Sequence, residues 1–296
     1  MTAVKLGAAN IHTGPAGVNY FPADLPLAAR GGRHLLAGMP RMRLLTFNIA
    51  HARGAMPVHQ GFRSAAKLRS NLLKIARLIQ RLDADIIALQ EIDENSRWSG
   101  SFDHLAFLRE HTGLAHWAHG VHNRRAGRYH LNYGNAFLSR WPVHHEDTVP
   151  FGRGTVGEKG FLFVEIDTPA GRLPVVNIHL NHRSRPQRLR QVAHLMRYLD
   201  GQHAPRSAHW RTPALVCGDF NNASHKPDAT ATLLGYFEQT NNYTLLPKAG
   251  RTFPSAWPAW ALDYVFLPEQ CREPKAEVVR SLLSDHRPVL VEFTLG

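Results

Sequence analysis

The 296-residue chain is short of cysteine, of long apolar runs and of acid, and each shortage removes a class of protein. Two cysteines, Cys217 and Cys271, cannot make a disulfide framework, and Cys217 lies inside a predicted core strand, which is compatible with a reducing compartment. No stretch approaches the 18 or more apolar residues of a membrane span. The apolar pieces near Leu25 to Ala29 and Leu35 to Ala37 are short and broken by Pro, Arg and Gly, so residues 1–40 do not read as a secretion signal. The expected location is cytoplasmic. Internal repeats and low-complexity tracts are also lacking. Acid is scarce, with 23 Asp and Glu against 35 Lys and Arg and a formal net charge of +12. Residues 1–43 hold five Lys and Arg against Asp24 alone, so 30 basic and 22 acidic residues remain beyond them, and the excess belongs to the folded part. Such a surplus points to an anionic partner: nucleic acid, a phospholipid headgroup or a small phosphorylated molecule. Basicity does not choose among them.

What the chain does contain is a set of buried strands that end in polar side chains. Sandwiches of about 250 residues count as single domains. The organisation expected is therefore a poorly ordered extension over 1–41, with Met39 and Met42 as alternative starts, then one catalytic domain over 42–296. The apolar run Ala214-Leu215-Val216 ends in Cys217-Gly218-Asp219-Phe220-Asn221-Asn222, a strand whose mouth presents oxygen ligands. Other strand ends agree. Arg43 to Asn48 stops at an amide, Asp85 to Glu91 at a carboxylate, and Leu173 to Leu180 places Asn177 and His179 on one face. Leu262 to Phe266 carries Asp263, and Ser284-Asp285-His286-Arg287-Pro288 leads into a strand over Val289 to Phe293.

Between these strands, Ala65, Leu68, Leu72, Ile75, Ile79 and Leu82 form a helical stripe, and Leu105 to Leu108 form a short helix stopped by Gly113. Ser184-Arg185-Pro186-Gln187 caps a helix continuing through Leu189, Val192, Leu195 and Leu199. Asp93, Glu94 and Arg97 are expected in a loop on the pocket rim. Residues 116–133, with Arg124 and Arg128, are expected as a mobile phosphate-contacting lid. Residues 223–250 are expected to be irregular, and Trp257 belongs to an aromatic, Pro-rich loop placed to touch substrate.

Asn48, Glu91, Asp219, Asn221, Asp263 and Asp285 are oxygen donors near strand termini, and His179 and His286 are imidazoles beside them. Crowded carboxylates repel unless a cation sits among them, and oxygen donors without thiolate favour Mg²⁺ or Mn²⁺ over Zn²⁺. Histidines next to a cation and acids suit transfer at phosphorus.

Seven motifs in order give the chain a recognisable likeness: Thr46-Phe47-Asn48, Leu89-Gln90-Glu91, Gly134-Asn135-Ala136 with Leu138-Ser139-Arg140, Asn177-Ile178-His179-Leu180, Gly218-Asp219-Phe220-Asn221, Leu262-Asp263-Tyr264 and Ser284-Asp285-His286-Arg287-Pro288. Over residues 42–296 it resembles the endonuclease/exonuclease/phosphatase superfamily of Mg²⁺-dependent phosphoesterases. The resemblance implies an α/β fold, a four-layer α-β-β-α sandwich of two mixed, largely antiparallel sheets with outer helices. It also implies Glu91 as metal ligand, with Asn48 close to the metal and Asp285 a further ligand. By the same likeness Asp219 orients or deprotonates water, Asn221 contacts phosphate, and His286 paired with Asp263 stabilises the pentacovalent transition state. His179 acts from the other side, and which histidine gives up a proton stays open. Asn135, Arg97, Arg124, Arg128 and Trp257 complete the expected substrate contacts.

Members acting at abasic DNA sites carry Tyr where this chain has His179, so that repair role is disfavoured. Branches with histidine act on sphingomyelin, phosphoinositides, RNA tails and DNA, which leaves nucleic acid and phospholipid as substrates, with peripheral membrane contact for the latter. The expected assembly is a monomer. Two-metal phosphatases with Asp-x-His on the first strand are a poor match, since Asn48 stands there. An inactive module that binds anionic ligands with the same fold is the alternative from another class.

Overall fold

The computed structural model describes residues 41–55, 63–152, 157–222, 227–240 and 242–296; the expected extension over 1–40 lies outside the described residues. In chain order the elements are β1 (Arg41–Asn48), α1 (Ala65–Leu82), β2 (Ile86–Asp93), α2 (His104–Thr112), β3 (His116–Arg125), β4 (Leu131–Ser139), β5 (Val143–Pro150), β6 (Gly160–Thr168), β7 (Gly171–His179), α3 (Arg185–Arg206), β8 (Leu215–Asp219), α4 (Ala229–Thr240), β9 (Tyr243–Leu246), β10 (Asp263–Pro268), β11 (Cys271–Val278) and β12 (Val289–Leu295). They form two six-stranded sheets, ordered β11-β12-β1-β2-β4-β3 and β5-β6-β7-β8-β10-β9. Among the named strands, β1 with β2 and β7 with β8 pair in parallel and the other pairs are antiparallel. Two mixed, largely antiparallel sheets are what the resemblance implies.

Central strands are apolar on both faces because both faces are covered. Along β1, Met42 and Leu44 enter the layer between the sheets while Leu45 and Phe47 point away from it, as side-chain alternation requires. Between the sheets, Ile86, Ala88 and Phe137 of the first meet Leu162, Val175, Leu215 and Val265 of the second. Outside the first sheet, Leu68, Leu72, Ile75 and Ile79 of α1 pack on Leu45, Phe47, Ile87 and Leu89. Outside the second, Val192 and Leu195 of α3 and Leu233 and Phe237 of α4 cover Phe163, Val176, Val216 and Phe266. Three apolar layers separate four layers of structure.

Local signals set the helix ends. Ser64 accepts from the Lys67 amide, Asp103 from Ala106 and Ser184 from Gln187. Gly113 ends α2 in the left-handed region at φ 74°. Among the described residues, no helix is long and apolar enough to cross a membrane.

Five segments differ from expectation. Residues 116–133 are mostly strand: β3 runs antiparallel to β4, with Ala118, Gly120 and His122 buried under a polar-looking alternation that hid it. Asp93 belongs to β2 and is fully buried, not part of a loop. Residues 229–240 are helical because Ala229, Leu233 and Phe237, four apart, face the second sheet. The edge strands β5 and β11 also went unread. In β5 burial alternates between intermediate and exposed, and β11 is largely exposed, carries Pro274 and has a register shift between Arg272 and Lys275. These are edge-strand features.

Candidate active site

The two parallel pairs bring the carboxyl ends of four strands to one edge of the sandwich. Asn48 and Glu91 end the β1–β2 pair, and His179 stands opposite Asp219 at the end of β7–β8. The antiparallel strand β10 starts there, with Asp263 opposite Asp219. His286 precedes β12 in a turn fixed by Ser284, whose hydroxyl donates to the Asn48 carbonyl at 2.7 Å and accepts from the His286 amide at 3.3 Å. Gly218 permits the approach of β8 to β7, since its φ is 140° and a Cβ would stand 1.9 Å from the Ile178 carbonyl oxygen. Three non-glycine residues with positive φ also gather here: His51 at 54°, Glu91 at 52° and Asn221 at 51°. Such strain clusters at functional sites.

Asp219 is the centre. Its Oδ2 accepts from the Asn48 amide at 2.9 Å and lies 3.4 Å from His179 Nε2 and 3.7 Å from His286 Nε2. Behind His286, Nδ1 donates to Asp263 Oδ2 at 2.9 Å. Asp219, Asp263 and His286 can each aim one atom into a space no more than 4.8 Å across. On the other side, Glu91 Oε1 is 4.0 Å from His179 Nε2 and 3.2 Å from the Lys159 ammonium, which also lies 3.3 Å from His179 Nδ1. One continuous chain of contacts therefore joins Glu91, His179, Asp219, His286 and Asp263.

The charges follow from burial and neighbours. Burial, with help from Asp263, raises Asp219 above the ordinary carboxylate range. Burial works against a charged His286, but Asp263 and Asp219 outweigh it and hold the imidazolium well above its usual range. Burial and then Lys159 lower His179 well below it, so the two histidines differ in kind. Burial also opposes ionised Glu91, yet Lys159, His51, His179 and Arg53 keep its carboxyl well below the usual value.

Among the other expected residues, Asn221 stands at the rim. Its amide N–H donates to Asp219 Oδ1 and its side chain to the Leu180 carbonyl, both at 2.9 Å. Asn135 is buried, donates to the Asn177 carbonyl at 2.9 Å, and lines a small cavity with Glu91, Lys159 and His179. Asp285 is half-buried and accepts from Ser284 at 3.2 Å; it is not one of the three residues that converge within 4.8 Å. Arg97, Arg124 and Arg128 form a separate exposed group in which Arg124 pairs with Glu94 at 3.0 Å and Arg97 donates to the Arg128 carbonyl at 3.0 Å. Trp257 is 84% exposed on its own loop.

Four residues at the site carried no expectation of a catalytic or binding part: His51, Arg53, Asp93 and Lys159. Lys159 had a legible signal, because β6 runs antiparallel to β7 and pairs Gly160 with His179, which puts the residue before Gly160 at the mouth. His51 had none, since it reaches Glu91 through a left-handed turn over Ala50, His51 and Ala52.

The residues present fit a hard divalent cation. The donors near Asp219 are carboxylate and carboxamide oxygens with imidazole, without thiolate. The buried Asp263 Oδ1 has no hydrogen-bond partner among the described residues, an orphan lone pair that a cation or its water would satisfy.

Comparison with known proteins agrees with this architecture. The uncharacterised protein YbhP of Escherichia coli is 28% identical over 259 residues, covering 80% of this chain and 94% of that protein. An endonuclease/exonuclease/phosphatase from Beutenbergia cavernae superposes with a TM-score of 0.65 at 20% identity, covering 86% of this chain and 72% of the other. Sphingomyelinase C from Streptomyces griseocarneus gives 0.60 at 18%, covering 86% and 99%. At those identities the two structures establish the fold alone. The sequence model of the endonuclease/exonuclease/phosphatase family matches residues 45–286, a span from the end of β1 to His286 that takes in every member of the contact chain, and the chain belongs to that family.

Proposed function

We propose that the protein hydrolyses a phosphodiester with a divalent cation, Mg²⁺ with Mn²⁺ as substitute, in a catalytic domain over residues 42–296 behind the extension at 1–41. The observation that carries this reading is Asp219 Oδ2 lying 3.4 Å from His179 Nε2 and 3.7 Å from His286 Nε2, with Asp263 behind His286; burial and Lys159 favour neutral His179, while Asp263 and Asp219 favour charged His286. Glu91 holds the cation, with Asn48 and Asp285 close by; when bound, the cation neutralises phosphoryl oxygens. Asp219 orients a water and takes its proton as the water oxygen bonds to phosphorus. His286 then serves as the fixed positive charge that stabilises the five-coordinate phosphorus, and it carries the proton available to the leaving oxygen as the P–O bond breaks. His179, kept neutral, hydrogen-bonds a phosphoryl oxygen from the opposite side, and Asn221 makes a further phosphate contact.

The substrate is nucleic acid or a phospholipid headgroup, met by the basic surface, with Asn135 inside the cavity and Arg97, Arg124, Arg128 and Trp257 outside it. The proposed setting is a cytoplasmic monomer, with peripheral membrane contact if the substrate is lipid. Asp219→Ala and His286→Ala are each expected to abolish Mg²⁺-dependent hydrolysis of bis(4-nitrophenyl) phosphate while circular dichroism stays native. Wild-type rates in both would overturn the mechanism. A substrate panel of single-stranded and duplex DNA, RNA, phospholipid vesicles and sugar phosphates, with Mg²⁺, Mn²⁺ or chelator, then selects the class. Inactivity on all of them with retained anion binding would favour a binding module.

A further inference from the structure

The site contains the same three-part arrangement twice. On one side His286 gives Nδ1 to Asp263 Oδ2 at 2.9 Å and turns Nε2 toward Asp219 Oδ2 at 3.7 Å. On the other, His51 gives Nδ1 to Asp93 Oδ2 at 2.7 Å and turns Nε2 toward Glu91 Oε2 at 3.4 Å. The first set is part of the family's motifs; of the second, Glu91 lies in a motif while His51 and Asp93 lie outside all seven. We propose that Asp93, His51 and Trp98 form a clamp that orients Glu91, making His51 a positioning residue for the metal-binding carboxylate.

Glu91 needs such support. It sits where the β2–β4 register shifts between Gln90 and Ile92, at φ 52°, so the regular ladder does not aim its side chain. The His51 ring lies 4.8 Å from the Trp98 ring and meets Tyr133 edge-on at 5.0 Å. Asp93, fully buried, takes a second hydrogen bond from Trp98 Nε1 at 2.9 Å. With Asp93 held by two hydrogen bonds and the imidazole packed against Trp98 and Tyr133, which also touch each other at 5.2 Å, the direction of Nε2 is constrained. His51, with Arg53 at 3.7 Å from the same atom, thereby helps set where Glu91 Oε2 rests, and Lys159 constrains the other oxygen. The turn that delivers His51 has three consecutive residues with positive φ, Ala50, His51 and Ala52, a strained path that no packing of His51 alone would require. Partners that orient a metal ligand in this way typically change metal affinity about 10- to 100-fold when removed.

The inference rests on the reading of Glu91 as metal ligand, and the test separates the two. Metal-stripped full-length protein is titrated with Mn²⁺, and free ion is followed by electron paramagnetic resonance. Asn places its amide nitrogen near the position of Nδ1, and Gln near that of Nε2. His51→Asn therefore keeps the Asp93 bond and loses the Glu91 contact, while His51→Gln keeps a donor toward Glu91. His51→Asn is expected to bind Mn²⁺ about 10- to 100-fold more weakly, and His51→Gln, which keeps a donor toward Glu91 but loses its anchor on Asp93, to fall between it and wild type. Melting temperatures of the two in metal-free buffer should be alike. Equal affinities in wild type and His51→Asn, or equal losses in both variants, would overturn the clamp. Should His51→Asn fail to fold, Trp98→Phe keeps the ring and removes the bond to Asp93 Oδ1; an unchanged Mn²⁺ affinity there overturns the clamp as well. Glu91→Gln is the control. If it binds Mn²⁺ as wild type does, the metal reading itself falls. If it weakens binding while His51→Asn does not, only the clamp falls.

Discussion

A single missing side chain decides how close the two halves of the site can come. At Gly218 the φ of 140° and the 1.9 Å distance from a hypothetical Cβ to a backbone oxygen leave no flexible atom to move aside. Gly218→Ala is expected to destabilise the fold by about 1–3 kcal/mol or more, read as a lower urea midpoint, with loss of activity in whatever fraction folds. A midpoint equal to wild type would mean that β7 and β8 are not pressed together there. At this scale the sequence was informative where chemistry and strand ends coincide: Asn48, Glu91, His179, Asp219, Asp263 and His286 all stand at the edge expected for them. Asp93 and His51 were illegible for opposite reasons. Asp93 follows Glu91 by two residues and looks like a loop acid, although the strand continues through it and buries it. His51 owes its place to backbone angles that no pattern of residue types announces.

Elements were legible in proportion to how completely they are buried. β1, β2, β7, β8 and β10 are covered on both faces and read as apolar runs, while α1 shows its buried stripe every three or four residues. Edge elements have no such contrast, because one face meets water and the pattern thins out; β5 and β11 are examples. The Leu138-Ser139-Arg140 motif shows that a family signature need not lie at the site. Arg140 pairs with Asp85 at 2.7 Å and Asp83 at 2.8 Å, where the chain enters β2 at the end opposite Glu91. The packing of α1 gives the element its own test. Leu72 is fully buried against the outer face of the first sheet, and Leu72→Ala should cost about 2–5 kcal/mol, the transfer of the lost methyls plus the cavity left behind. The mutant is expected to melt earlier yet respond to added Mg²⁺ or chelator as the wild type does, since α1 supplies no residue to the cluster. A shift under about 1 kcal/mol would mean the site collapses around the gap or that α1 packs loosely.

For the molecule as a whole, the distribution of histidine sets the response to acid. Among the described residues His104 and His122 are buried and His119 is half-buried, and all three are held below the usual imidazole range, His122 to about 3, chiefly because desolvation disfavours the cation. Both ring nitrogens of His122 lack hydrogen-bond partners among the described residues, so nothing rewards protonation there. An unfolded chain takes up these protons near pH 6.5. The folded one refuses them, so the unfolded state binds more protons below that pH and stability must fall as acid is added. For His122 the loss runs from about pH 6.5, the unfolded value, down to about 3, at up to about 1.4 kcal/mol per pH unit. Asp93 adds a loss of the same sign lower down, between its unfolded value of about 3.9 and the folded value of about 2. Asp219, raised by burial, works the other way on the acid side, but it is one group against four histidines, since burial and Lys159 hold His179 low as well. His286, raised by its carboxylate neighbours, instead loses its contribution as pH climbs above the unfolded imidazole value, which places the optimum near neutrality. Urea midpoints at pH 7, 6 and 5 should therefore descend in that order. Replacing His122 by Gln, which cannot titrate, should flatten the descent by about one histidine's share. A midpoint that stays level from pH 7 to 5 would mean the buried histidines find water or a partner as they titrate, and that the tight packing around β3 and β4 opens in acid.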